Sequence, residues 1–251
     1  MPLSLHMRKS MHALLACLVG VIALLTTPPA RAADDAQVLI EKTARAVEDA
    51  RSLRAEFTQE QYDPLFDSTE KKKGVILALR REGKPELARI SFLKKLIGKR
   101  YRDSVRHYWA EDERLVEYKP RARTAKVFRR PKEDKFTLAN PANAREVSLL
   151  FLRDPAQLRQ FYNVKHTSAD NDDDRPDLTF SPKQAVGEHE PKLKTIAIWI
   201  DPQTHLPRRC SVTKKSGEVD ILYLDKLELN ADIEPKDIVL DLPGDVMIVR
   251  E

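Results

Sequence analysis

A lone thiol with basic neighbours is the first place in this chain where chemistry could reside. Cys210 closes the stretch "DPQTHLPRRC", with His205, Arg208 and Arg209 just upstream. A nucleophilic thiol needs a base or positive surroundings to lower its pKa, and these residues lie near enough in sequence to raise the question. The run alternates as a strand does, with Arg208, Cys210 and Val212 on one face. That pattern favours a small packed side chain, with a thiol hydrolase as the enzymatic alternative. Asp170, Asp172 and Asp174 have the spacing of a calcium loop, which also wants Gly at its sixth position and Glu at its twelfth. Arg175 and Ser181 stand there instead, so the stretch reads as a solvated acidic loop. His107, His166, His189 and His205 form no HExxH or paired spacing, and with only seven glycines in the chain there is no Gly-rich phosphate loop and no G-x-S-x-G. The expectation is a protein that is not an enzyme and uses no cofactor or metal.

The elements that would position a site begin after a targeting segment. Arg8 and Lys9 precede the apolar run "ALLACLVGVIALL", and Ala30-Arg31-Ala32 fits a small-x-small cleavage site. The run is shorter than the roughly 20 residues a membrane-spanning helix needs. Residues 1–32 thus read as a secretory signal and 33–251 as one domain, placing the protein in the periplasm. Leu14-Leu15-Ala16-Cys17 offers the alternative of a lipid anchor through Cys17. Setting residues 1–32 aside leaves 41 Lys/Arg against 39 Asp/Glu, so the formal charge falls from +5 to +2. Such a balance gives little reason to expect nucleic acid. Only Cys210 then remains, so no internal disulfide can form. Ten Lys/Arg against three acids in residues 80–106, and ten acids against three bases in 217–251, make the charge uneven along the chain. An alternating solvated surface is one reading of this; a dipolar molecule with two docking faces, or one facing an anionic membrane, is the other.

Periodicity supplies the scaffold. Asp34 and Asp35 would cap a helix in which Leu39, Thr43, Ala46, Val47, Ala50 and Leu53 form one apolar stripe. "RAEFTQEQY" then alternates as a half-buried strand, and "DPLFDST" is a turn or loop. "GVILALR" (74–80) is apolar on both faces, as in a sheet covered on both sides. Strands follow at 87–93, 104–110, 114–120 and 124–130, with a hairpin tip at 111–114. "NPANAREVSLLFLRDPAQLRQF" predicts a helix carrying Val147, Leu149, Leu150 and Phe151. Strands resume from "YNVKHTS" through "DLTFSP", "LKTIAIWI", "RRCSVTKK" and "EVDILYLDKLEL", and the chain ends in a short helical turn and an extended piece. The fold class is mainly β (α+β), with an antiparallel sheet that curls or closes. Apolar residues inside such a sheet either fill a core or line a ligand cavity.

The ordered set of turns carries a resemblance. Asp201-Pro202, Leu206-Pro207-Arg208, Ser216-Gly217, Asn230 and Pro243-Gly244-Asp245-Val246 resemble the closing half of the LolA-like lipoprotein carrier family. Phe57, Thr58 and Gln59 in "LRAEFTQEQ", Gly74, and Lys84-Pro85-Glu86-Leu87-Ala88-Arg89-Ile90 match its opening half. The similarity runs in order over about residues 35–251. The resemblance implies an incomplete antiparallel β-barrel closed by a helical lid, whose cavity receives the acyl chains of lipoproteins or related lipids. It also implies an inner-membrane donor complex, an outer-membrane acceptor and a monomeric carrier. Lys84 stands where the family often has an Arg in contact with the lid, and a flexible ammonium in place of a planar guanidinium implies an easier opening. Asp112-Glu113 replaces the usual Asp-Gly turn. Strand alternation then nominates Phe57, Val75, Leu77, Leu79, Ile90, Phe92, Ile196, Ile198 and Leu222 for the cavity, with Val47, Leu149 and Leu150 joining Lys84 at the lid. A periplasmic sensor that detects lipid or lipoprotein and binds a signalling protein is the alternative on the same half-barrel.

Overall fold

The computed structural model describes residues 30–82, 84–111, 114–129, 160, 162–167, 175–183 and 193–250. Helix α1 spans Ala30–Glu48. It starts ahead of the expected caps Asp34 and Asp35. Ala36, Ile40, Thr43, Ala44 and Val47 recur at three- and four-residue steps and are buried. The buried stripe is therefore rotated slightly from the expected one, with Leu39 and Ala46 packed at its margin.

Twelve strands among the described residues form one sheet. They are β1 (Ser52–Asp63), β2 (Ser68–Arg81), β3 (Lys84–Ile97), β4 (Arg100–Glu111), β5 (Arg114–Lys119) and β6 (Thr124–Arg129), then β7 (Tyr162–His166), β8 (Leu178–Pro182), β9 (Leu193–Ile200), β10 (Pro207–Lys214), β11 (Val219–Leu229) and β12 (Met247–Arg250). Their spatial order is β12-β6-β5-β4-β3-β2-β1-β11-β10-β9-β8-β7. Every pairing is antiparallel except β12 on β6, which is parallel. The sheet is open between edges β12 and β7, which makes an incomplete barrel with α1 packed on one face. Strands β2, β3 and β4 run longer than their apolar centres predicted, because hairpin pairing carries the polar ends along. The helix expected around Leu149 and Leu150, and the acidic loop at Asp170, Asp172 and Asp174, lie outside the described residues.

The two halves of the sheet bury opposite faces. In β1, Leu53, Ala55, Phe57 and Gln59 are buried while Arg54 and Glu56 are exposed. The register fixes what joins them: Phe57 sits opposite Gly74 on β2 and Leu224 on β11. Ile76 and Ile90 follow on the same face, as do Cys210, Ile198 and Leu178 on the far side. The opposite face of β2–β6 holds a second core of Leu77, Leu87, Trp109, Val116, Tyr118 and Ala125. The C-terminal segment covers it, with Ile238 fully buried and Ile233, Val239, Leu240, Leu242 and Val246 around it. That segment is tied at both ends. Asn230 N–H donates to Ser52 O (2.8 Å) and Ser52 Oγ–H to Ala231 O (2.5 Å); Met247 N–H donates to Arg123 O (2.9 Å), beside an Arg123–Asp245 ion pair at 2.6 Å.

Candidate functional site: the apolar face beneath α1

The site grows outward from Phe57. Gly74 lies directly across on β2, and a Cβ there would stand 2.6 Å from the Phe57 ring and 2.1 Å from Ser91 O. Only glycine leaves room for the ring and for the bulge in the β2–β3 pairing at this point. Phe57 meets Phe92 edge to face at 5.4 Å between centroids, and Phe92 meets Tyr108 the same way at 6.2 Å. An aromatic row thus crosses β1, β3 and β4. Phe57 is buried, whereas Phe92 and Tyr108 are only half-buried, so the row runs from the core towards an accessible margin.

On the other side of β1 the floor is closely packed. Leu178, Phe180, Ile196 and Ile198 are all fully buried, and Leu222, Leu224 and Cys210 join them. Tyr162 stands edge-on to Phe180 at 6.3 Å. Helix α1 packs against β7 and sets Ala36, Ile40 and Val47 on this floor. Towards the β1–β2 turn the same face becomes polar. Gln59 is buried among apolar neighbours, and its Oε1 has no hydrogen-bond partner among the described residues. Glu70 beyond it pairs with Lys72 and Lys95 at 2.5 Å each. Burial acts to raise the Glu70 carboxyl, but hydrogen bonds from the two lysines outweigh it and hold it below its ordinary value. The face is an apolar floor with an ionic end.

The nominated residues divide between the two faces. Phe57, Ile196, Ile198 and Leu222, with Val47 from α1, come together in the core beneath the helix; Ile90 and Phe92 pack against it. Val75, Leu77 and Leu79 belong to the other core, under the C-terminal segment. They are corrected here as cavity residues: β2 alternates, and pairing puts Gly74, Ile76 and Ala78, not 75, 77 and 79, on the Phe57 face. Lys84 pairs with Arg81 at the start of β3, while Leu149 and Leu150 fall outside the described residues. Residues that belong to the face but were not nominated include Ile40, Ile76, Phe180 and Leu224. An alternation rule anchored on Phe57 and carried across each hairpin would have found Ile76.

Cys210 contributes packing. It is 5% exposed within the apolar core, and burial pushes its thiol up to about 12, so no thiolate forms at neutral pH. The "DPQTHLP" turn that precedes it is built by Asp201. Its Oδ1 accepts from the backbone N–H of Thr204 (2.7 Å) and Gln203 (2.9 Å) and from the Thr204 hydroxyl (3.0 Å). His107, on the opposite face, shares a hydrogen bond with Ser91 Oγ at 2.8 Å. Burial, then the charge of Arg89, keeps His107 below its usual pKa. His107 thus lies on the opposite face of the sheet from the thiol.

No family model matches the sequence, and no curated protein matches it. Solved structures do resemble the fold. A conserved protein from Thermus thermophilus is 11% identical, with a TM-score of 0.49 over 86% of this chain and 99% of that one. A chain of the MucA/MucB complex of Pseudomonas aeruginosa is 14% identical, with a TM-score of 0.46 over 86% of this chain and 63% of that one. The LolA superfamily protein NE2245 from Nitrosomonas europaea is 12% identical, with a TM-score of 0.37 over 82% of this chain and 97% of that one.

Proposed function

We propose that the protein is a non-enzymatic carrier of the cell envelope that shelters the acyl chains of lipoproteins, or of related lipids, against the Phe57 face of its open sheet. In this reading it works in the periplasm between an inner-membrane donor and an outer-membrane acceptor. The observation that carries the reading is the layout of the face: an apolar floor, an accessible aromatic margin at Phe92 and Tyr108, and one helix as a cover. Its floor is buried, with α1 packed against it, so a ligand enters as α1 lifts and takes the place of its apolar stripe. Each acyl methylene withdrawn from water contributes about 0.8 kcal/mol, which makes a long chain a strong competitor for that stripe. Release needs only the reverse exchange, with no bond made or broken.

The test is native mass spectrometry of the protein purified from a bacterial periplasm, with uptake of a fluorescent fatty acid measured alongside. Co-purifying lipid or acylated protein, together with uptake that falls at least tenfold in Phe92→Glu at unchanged melting temperature, is the expected result. A protein that arrives empty and takes up no fatty acid has a filled core, and the reading then passes to a protein-binding sensor.

A further inference from the structure

The topology gathers three turns at one end of the sheet. The β1–β2 turn (residues 64–67) lies beside the β10–β11 turn: a Cβ on Gly217 would be 3.4 Å from the Pro64 ring. The β3–β4 turn reaches the same end, because β2 and β3 pair outward as far as Lys72 opposite Lys95 and β3 and β4 continue to Ile97 opposite Arg100. At the outermost point Leu65 is 83% exposed and Phe66 73% exposed. The turn that presents them is well made. Asp63 Oδ1 accepts from Leu65 N–H at 2.9 Å, and the Tyr62 hydroxyl donates to Asp67 Oδ1 at 3.1 Å. Ile97, also exposed, sits beside the neighbouring turn.

Asp63 and Asp67 flank these apolar tips, and the neighbouring β3–β4 hairpin is basic. Residues 94–106 hold six Lys/Arg and a single acid, Asp103. The lysines nearest the body are paired: Lys71 with Glu60, and Lys72 and Lys95 with a shared Glu70. Lys94, Lys99, Arg100 and Arg102 are exposed and make no ion pair among the described residues. Large apolar side chains at the apex of a narrow turn have no flat surface to offer a protein partner. They do have the shape of a wedge, and a wedge with an exposed basic hairpin at the same end of the sheet matches an anionic lipid headgroup layer over hydrocarbon.

We infer that this end of the sheet docks on anionic bilayers, with Leu65 and Phe66 entering the headgroup–acyl boundary and Lys94, Lys99, Arg100 and Arg102 resting on the lipid phosphates. The inference is independent of the carrier reading, since it concerns the outer surface and holds whether or not the apolar face takes lipid.

The test uses the protein as recovered from cells, with Phe66→Trp as a depth probe. The two native tryptophans, Trp109 and Trp199, are 3% and 5% exposed and give a constant background. Vesicles of phosphatidylcholine alone are compared with vesicles containing phosphatidylglycerol, each carrying acyl-brominated lipid as quencher. Expected are quenching of the new tryptophan on anionic vesicles only, loss of binding at high salt, and at least a tenfold fall in binding for Leu65→Ser/Phe66→Ser and for Lys99→Glu/Arg100→Glu/Arg102→Glu. Both variants alter exposed positions, and their melting temperatures check the fold. Absence of quenching on anionic vesicles overturns the inference. So does binding that the tip variant leaves intact, which would mean simple electrostatic adsorption or attachment through the N-terminal segment.

Discussion

Ile40→Ala should free α1 while leaving the sheet folded. Ile40 and Val47 are the two large apolar side chains that α1 buries completely, each contributing about 1.5–3 kcal/mol by burial. Against this, Gln37 Oε1 and Thr43 Oγ1 are buried without hydrogen-bond partners among the described residues, at a cost of about 1–3 kcal/mol each. The two terms nearly cancel, so net docking of the helix is at most about 4 kcal/mol. Truncating Ile40 removes about 2–4 kcal/mol of it. At about 1.4 kcal/mol per decade, the undocked population rises roughly 30- to 700-fold, up to the point at which the helix is fully open. Hydrogen exchange read by mass spectrometry should show amides of residues 36–47 accelerating by that factor while those of β9 (193–200) hold their rate. Uptake of fatty acid should quicken as well. If α1 and β9 accelerate together and equally, helix and sheet open as one cooperative unit, and α1 is not a lid.

Two further outcomes follow from the packing. Gly74→Ala should destabilise the protein by about 3 kcal/mol or more, seen as a lower denaturant midpoint. Adding Phe57→Leu should recover only part of the loss, since Ser91 O at 2.1 Å still obstructs the new methyl; an unchanged midpoint would mean that the β2–β3 bulge relaxes at no cost. Cys210→Ala should keep lipid uptake and lose only about 1 kcal/mol of stability, while the native thiol should react with a maleimide at pH 7 no faster than the protein unfolds. Lost uptake in a folded Cys210→Ala protein would return the thiol to the functional site.

The strands were legible because their alternation and turn chemistry are local. β9 was read at its observed limits, 193–200, since it is apolar throughout most of its length and is followed by an Asp-Pro turn. Face assignment was legible only where one face is polar. In β1, Arg54 and Glu56 declare the outside, which puts Phe57 on the buried face. β2 gives no such sign: Val75, Leu77 and Leu79 face one core and Ile76 the other, and a one-residue choice inverts all of them. What decides it is the pairing of Phe57 with Gly74, a contact 17 residues apart in sequence. The parallel docking of β12 on β6 spans a still longer separation and left no local trace.

The two cores differ in how their covers are held, and that difference bears on function. The C-terminal cover is bonded at both ends, to β1 through Ser52 and to β6 through β12, and a helical turn at Pro235–Ile238 with a reciprocal Glu234–Asp237 cap stiffens its middle. Lifting it would break backbone pairing as well as apolar contact. Helix α1 contributes no strand to the sheet. Its backbone continues at its C-terminal end through Asp49–Arg51 into β1, and its docking involves two side-chain oxygens, Gln37 Oε1 and Thr43 Oγ1, without hydrogen-bond partners among the described residues. A cover held this way opens at a cost that an acyl chain can offset, at about 0.8 kcal/mol per methylene, whereas the C-terminal cover does not. On the proposed carrier reading, the sheet stays rigid on one face while the other exchanges its apolar partner, and that asymmetry is what reversible carriage requires.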